Sequence, residues 1–271
     1  MDNRLIKFSI GIATHRLDRR LRNTLFATTN SINYPRENYE ICLFVNGKFE
    51  EDEILPFKPF VDKIEFVNKP LGPSAAKNRV IGMASHPWVV LLDSDDYLVP
   101  TALLIYERAI QNHPDIDVAF EYSGINFLKS NFSYPPNSSE FNIYFWTQVG
   151  LIPQTGACGH ATLVRRDCSY RFNEDVDFAE ERDLAIRMWG AGGTAALLQS
   201  CTYVYNWNET GISSHSEKLT EAQKAVLDEI RKPLKSMAIE DMRFRIVELP
   251  FLSKEDKVFI ERIYYLEKMN G

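Results

Sequence analysis

Residues 88–93, WVVLLD, are apolar at every position up to the closing aspartate. A run without polar alternation fits a strand covered on both faces, the setting of a mostly parallel sheet between helices. The preceding sequence agrees with that setting. IKFSIGIA (6–13) and YEICLFV (39–45) are short runs rich in strand formers, and between them Leu17, Leu21, Leu25 and Phe26 follow helical spacing. KIEFVN (63–68) predicts another strand, and the Gly-Pro punctuation of KPLGPSAAKNRVIGMA predicts a helix from near Ser74. The expected fold class is α/β, a Rossmann-like and mostly parallel sheet flanked by helices.

Further along, the pattern predicts a helix over 101–113, strands over 117–123 and 160–166, a helix over 179–192 and a strand pair within 195–207. Residues 129–158 mix Pro, Asn and Ser with aromatics and read as a loop region holding a short helix, a place where a second substrate could be recognised. From about Ser216 the chain turns charged and amphipathic, which predicts a helical C-terminal extension over 216–271.

A net charge of −6 argues against a broad phosphate-binding surface, so no nucleic-acid partner is expected. The first residues lack the apolar core of a secretory signal, and no stretch of about 18 apolar residues suggests a membrane span, so the expectation is a soluble, cytoplasmic protein. Cys42, Cys158, Cys168 and Cys201 show neither CxxC nor zinc-ligand spacing and are expected to be reduced thiols.

The WVVLLD run ends in Asp93, with Asp95 and Asp96 close behind. In open α/β sheets ligands bind beyond the carboxyl ends of the strands, where this acidic turn falls. If the strand continues, Asp93 and Asp95 share one side. Two carboxylates about 5 Å apart repel by roughly 3 kcal/mol at an effective dielectric near 20, so a cleft of low polarity would favour a counter-cation. Oxygen-only ligation suits Mg2+ or Mn2+ better than Zn2+. The alternative is a solvated turn whose aspartates cap the helix beginning near Thr101. An EF-hand loop from Asp93 would need Gly at position six and Glu at position twelve, where the chain has Leu98 and Leu104. Neither a Walker A sequence nor G-x-G-x-x-G is present.

Several ordered segments together resemble the inverting, nucleotide-sugar-dependent glycosyltransferases of the GT-A fold, family 2-like. FSIGIATHR is similar to that family's first strand and turn, and NKPLGPSAAKNRVIGMA to its Asn-x-Gly-x-x-x-Ala-Arg-Asn-x-Gly segment, with Lys77 at the Arg position and Asn78 retained. LLDSDDYLVP resembles its Leu-Asp-Ala-Asp-Asp-x-x-x-Pro, and AEERDLAIRMWGAG its acidic helix. The resemblance spans roughly 6–215 and implies a catalytic domain over 1–215, with a nucleotide-binding part over about 1–99 and an acceptor part over about 100–215.

The resemblance implies a DxD motif in which Asp95 is the metal ligand and Asp93 and Asp96 contact ribose or metal-bound water. The implied cofactor is Mn2+ or Mg2+ bridging the donor diphosphate, whose departure develops negative charge that a fixed cation stabilises. Inverting transfer to an acceptor hydroxyl also needs a general base. By register Glu181 takes that position, with Glu180 in reserve, while an acid-rich first helical turn that only favours the helix dipole is the competing account. Arg187 has helical spacing to pair with Glu180 or Asp183. His215 falls where relatives place a basic group near metal and diphosphate, and His160 reads as a strand-end histidine. Thr14, Arg16, Asn46 and Lys77 are implied to line the donor pocket, Lys77 toward phosphate. Val45 replaces the aspartate that commonly binds uracil, so the donor base stays open.

The implied partners are a nucleotide-sugar donor and a glycan or other hydroxyl-bearing acceptor. The C-terminal helices have mixed charge, leaving open packing on the catalytic domain, a homodimer interface or peripheral membrane contact. Two other functions compete. A sugar-nucleotide pyrophosphorylase would need a Gly-rich phosphate loop that GIATHRLDRR does not provide, and a glycosyltransferase-like binding module would rest on Val45 and on Glu at the Asp position.

Overall fold

Strands β1 (Phe8–Thr14), β2 (Tyr39–Asn46), β3 (Lys63–Val67) and β4 (Trp88–Asp93) run parallel in the order β3, β2, β1, β4. The structure, a computed structural model, describes residues 5–121, 123–127, 143–147, 161–176, 180–198, 202–206, 244–247 and 253–270. A second sheet holds β5 (Tyr97–Leu98), β11 (Tyr203–Asn206), β7 (Ser123–Phe127) and β8 (Ile143–Thr147), in that order. The first sheet continues from β4 through the antiparallel β9 (Ala161–Arg165) to β6 (Val118–Glu121), then through β10 (Ala195–Leu198) to β12 (Phe244–Val247), for eight strands. Among these eight only β9 runs against its neighbours.

The helices are α1 (Arg19–Ser31), the single turn α2 (Glu51–Ile54), α3 (Pro73–Met83), α4 (Ala102–Asn112), α5 (Glu180–Gly190) and α6 (Lys254–Asn270). Strand alternation sorts the core into two layers. Ile41, Leu43, Val90 and Leu92 pack with Leu21 and Leu25 of α1 and with Leu103 and Tyr106 of α4. Cys42, Phe44, Val89 and Leu91 pack on the other side with Val80 of α3 and with Leu184 and Met188 of α5. Each such buried side chain contributes about 1.5–3 kcal/mol.

On β1 the residue facing α3 is small for a definite reason. A Cβ at Gly11 would lie 1.9 Å from Cγ1 of Val80, so only glycine lets α3 sit this close to the strand. That approach fixes Lys77, one turn before Val80, beside Asp93 in a shallow recess at the carboxyl end of the sheet.

Four segments differ from the pattern-based reading, the first being the expected strand over 117–123, which divides between β6 of the eight-stranded sheet and β7 of the four-stranded one. The two strands of 195–207 do not pair, because β10 joins the eight-stranded sheet and β11 the four-stranded one. Residues 143–147, within the expected loop region, form β8, and residues 244–247, within the expected helical stretch, form β12. The part of the expected helical extension over 216–243 and the rest of 129–158 lie outside the described residues.

Helix α6 buries Phe259, Ile260 and Ile263 in the same core layer as α1 and α4. Its Asp256 accepts the backbone N–H of Thr101 at 3.1 Å and the Thr101 hydroxyl at 2.8 Å. The start of α4 is therefore held by α6, not capped by the acidic turn. Among the described residues no helix is long and apolar enough to cross a membrane. Cys42 and Cys168 are free thiols, and burial, followed by the charge of Glu40, pushes the Cys42 thiol up to about 12.

Candidate active site

The acidic turn closes with the Asp96 N–H donating to the carbonyl of Asp93 at 3.2 Å. Thr24 of α1 steadies it by donating its hydroxyl to the carbonyl of Ser94 at 3.1 Å. Asp96 is 1% exposed, and its two oxygens accept the Tyr203 hydroxyl at 2.6 Å and the Asn206 N–H at 2.7 Å. A buried carboxylate is stable only with such partners. The same Tyr203 hydroxyl accepts the Asp93 N–H at 3.2 Å, so one phenol spans both ends of the turn. Burial, then the charges of Asp93 and Asp96, hold that phenol well above its ordinary pKa and keep its proton in place. Asp96 thus faces the protein interior, while Asp93 and Asp95 keep partial exposure. Oδ2 of Asp95 lies 3.9 Å from Nη1 of Arg20 on α1.

Across the recess, Nζ of Lys77 lies 2.7 Å from Oε1 of Glu180 and is also hydrogen-bonded to Oε1 of Glu181. Its side chain is 12% exposed and sits over the ring of Phe172, 5.5 Å from the centroid. Burial acts to lower the Lys77 pKa, but the attraction of Glu180, Glu181 and Asp93 outweighs it and holds the ammonium well above its ordinary value. Glu180 moves the other way from a simple ion-paired carboxylate. Burial and then repulsion from Glu181 raise it, and the opposing pull of Lys77 does not cancel them.

Helix α3 builds this arrangement with residues on one face. Ser74 donates to the carbonyl of Val176 at 2.6 Å, and the Asn78 amide both donates to the Phe172 carbonyl at 2.9 Å and accepts the Phe172 N–H at 3.0 Å. Segment 172–176, which leads toward α5, is thereby fixed on α3. Within α5 Arg187 pairs with Asp183, its Nη2 2.6 Å from the carboxylate. Ser74, Phe172, Tyr203 and Asn206 are supports that no sequence spacing announces, since their partners lie about a hundred residues away.

At the end of β1, Thr14 accepts the Arg16 N–H at 3.1 Å and donates to the Arg16 carbonyl at 2.7 Å, which shapes the loop toward α1. At the end of β2 the Asn46 amide donates to the Leu71 carbonyl at 2.7 Å and accepts the Leu71 N–H at 2.5 Å. Its neighbour Val45 is wholly buried in the core. His160 and His215 lie outside the described residues.

Among the described residues no three His, Cys, Asp or Glu side chains converge to hold a metal by themselves. Asp93 and Asp95 leave one or two carboxylates for a cation, the usual protein share of a Mg2+ site completed by phosphate oxygens and water. This hard-oxygen donor set fits Mg2+ or Mn2+ with a bound diphosphate and gives no soft ligand for zinc.

The family profile for glycosyl transferase family 2 matches residues 9–171, more than half of the chain. The chain belongs to glycosyl transferase family 2. Solved structures share the fold over most of the chain. S. aureus TarS 1–349 in complex with UDP-GlcNAc superposes with a TM-score of 0.62 at 16% identity, covering 87% of this chain and 68% of that one. The mannosyltransferase PcManGT from Pyrobaculum calidifontis, in complex with GDP-Man and Mn2+, gives 0.59 at 13% identity over 89% of this chain and 68% of its own. This family 2 chain spans 45% of the longer S. aureus TarS chain, which it matches with a TM-score of 0.55. No curated protein matches it in sequence.

Proposed function

We propose that the chain is a metal-dependent glycosyltransferase that moves a single sugar from a nucleotide-sugar donor to an acceptor hydroxyl with inversion. The observation that carries this reading is the meeting, across Lys77, of the exposed side of the acidic turn and the Glu180–Glu181 pair. Asp95 and Asp93 would hold Mg2+ or Mn2+. When bound, the cation neutralises charge developing on the departing diphosphate.

In the transfer itself, a carboxylate oxygen of Glu181 takes the proton of the acceptor hydroxyl, with Glu180 as the second candidate. The acceptor oxygen forms its bond to the anomeric carbon as the carbon–oxygen bond to the diphosphate breaks, and the nucleoside diphosphate leaves with the electron pair. Attack opposite the leaving group inverts the anomeric centre. Asp96, enclosed by Tyr203 and Asn206, keeps the turn rigid enough to present its neighbours. The acceptor is expected to meet the part of the chain beyond residue 100. Val45 presents no side chain to a base from its buried position, which leaves UDP and GDP donors on equal terms.

A panel of nucleotide sugars incubated with Mn2+ or with EDTA tests the proposal. Mn2+-dependent donor hydrolysis or transfer is expected for the wild type, together with loss of metal-dependent donor binding in Asp95→Ala. Neither binding nor turnover with any donor would overturn it, as would full binding by Asp95→Ala.

A further inference from the structure

The family resemblance implies that the residue at position 77 meets the donor's phosphates, yet the Lys77 ammonium is directed at Glu180 and Glu181. Three structural features hold it there. Gly11 lets α3 approach β1 closely, the Phe172 ring lies under the ammonium, and Ser74 and Asn78 tie the segment carrying Phe172 to the same helix face. Lysine is a flexible residue with a compact charge, so its fixation at both ends is what makes its position specific.

The charges at the recess point the same way. Two adjacent glutamates of the first turn of α5 contact Lys77, and Asp93 at the end of β4 adds its charge near the same ammonium. Without a cation between them, two adjacent ionised carboxylates repel each other. Lys77 is the group that hydrogen-bonds to both at once.

We propose that Lys77 is a positioning residue for the base: its ammonium holds the Glu180–Glu181 pair in one place next to the donor turn, and it serves the acceptor's proton transfer, not the donor's phosphates. This inference rests on the transferase reading above. A phosphate-binding lysine and a base-positioning lysine make opposite predictions for donor affinity. Removal of the first weakens donor binding, and removal of the second leaves the donor bound but the base displaced.

The test measures steady-state transfer, and calorimetric binding of UDP and of GDP with Mn2+, for the wild type, Lys77→Met, Lys77→Arg, Glu180→Gln and the double variant Lys77→Met/Glu180→Gln. Lys77→Met is expected to lower kcat about 100-fold, the scale of a misplaced catalytic group, with donor KM and diphosphate Kd within about threefold of the wild type. Lys77→Arg, which keeps the positive charge on a guanidinium able to hold two carboxylates, should recover kcat to within about tenfold of the wild type. If Lys77→Met fails to fold, the double variant compared with Glu180→Gln carries the same reading, because it removes a buried carboxylate together with the ammonium. A tenfold or larger loss of diphosphate affinity in Lys77→Met with unchanged kcat overturns the proposal, and so does unchanged kcat in folded Lys77→Met or, where that fails to fold, in the double variant relative to Glu180→Gln. Absence of transfer by the wild type would instead refute the transferase reading on which the inference rests.

Discussion

The same residue pair, lysine with glutamate, is used at both ends of the central strands to opposite effect. At the amino ends, Glu40 of β2 accepts the Ser9 hydroxyl at 2.6 Å and the Ser85 N–H at 2.5 Å, and Lys63 lies 3.3 Å from its second oxygen. Burial acts to raise Glu40, but these donors overcome it and leave the carboxyl below its ordinary value. At the carboxyl ends one ammonium, Lys77, serves Glu180 and Glu181 and is also attracted by Asp93, and Glu180 is raised. Where donors outnumber carboxylates the charge is fixed and structural. Where carboxylates outnumber donors a proton acceptor remains at hand, which is what a base requires.

The sharpest way to break this contrast is to neutralise one carboxylate at each end. Glu181→Gln should reduce transfer by about 1,000-fold, within the usual range for a general base, whereas Glu40→Gln should leave kcat at the wild-type level. Steady-state assays on the two purified variants decide it, and equal losses would erase the distinction. Stability is probed by a separate truncation at position 40. Glu40→Ala leaves a buried hydroxyl, an N–H and an ammonium short of a partner and should cost about 3 kcal/mol in urea unfolding, more than Glu181→Gln.

A smaller effect probes the link between the sheet and the upper cluster. Gly11→Ala forces Val80 away from β1 and should cost about 1–3 kcal/mol by overpacking, with a fall in kcat because α3 carries Lys77. Loss of stability without any change in kcat would separate the helix position from the site.

The smallest effect is a pH dependence of opposite sign at the two ends. Glu180 binds its proton more tightly when folded than its ordinary value of 4.5, so the wild type loses stability as pH rises from that value through the folded one. Glu180→Gln removes the penalty, and its melting temperature should gain on the wild type over that rise. Glu40 is held below 4.5, so its contribution is present above that pH and disappears as pH falls through its folded value. The deficit of Glu40→Gln should therefore shrink toward acid. Melting curves between pH 3 and pH 8 give both trends.

Much of the architecture up to Asp93 was legible because buried parallel strands carry their own signature. The apolar runs ending at Asp93 and near Asn46 gave β4 and β2 almost to the residue, and the turn chemistry of KPLGPS gave the start of α3. Pairing partners were less accessible, since sequence periodicity describes one strand at a time. For that reason the adjacent β10 and β11 read as a pair although they belong to different sheets, and the short β12 was absorbed into a helical pattern. At the site, the acidic residues stood out by spacing and by resemblance. The role of Lys77 did not, because its partners are over a hundred residues away and no local rule says which way a helix-borne lysine points. Strand period already set Asp96 apart from Asp93 and Asp95, but its enclosure by Tyr203 and Asn206 could not be read from sequence, since those partners are about 110 residues away.

In the proposed reaction the Glu180–Glu181 pair acts as a base in a single displacement. The most direct measurement is the anomeric configuration of the freshly formed product, read by proton NMR coupling before any mutarotation. A single displacement gives a configuration opposite to that of the donor sugar. Retention would contradict it, because retention requires either a covalent glycosyl–carboxylate intermediate or attack from the side of the leaving group.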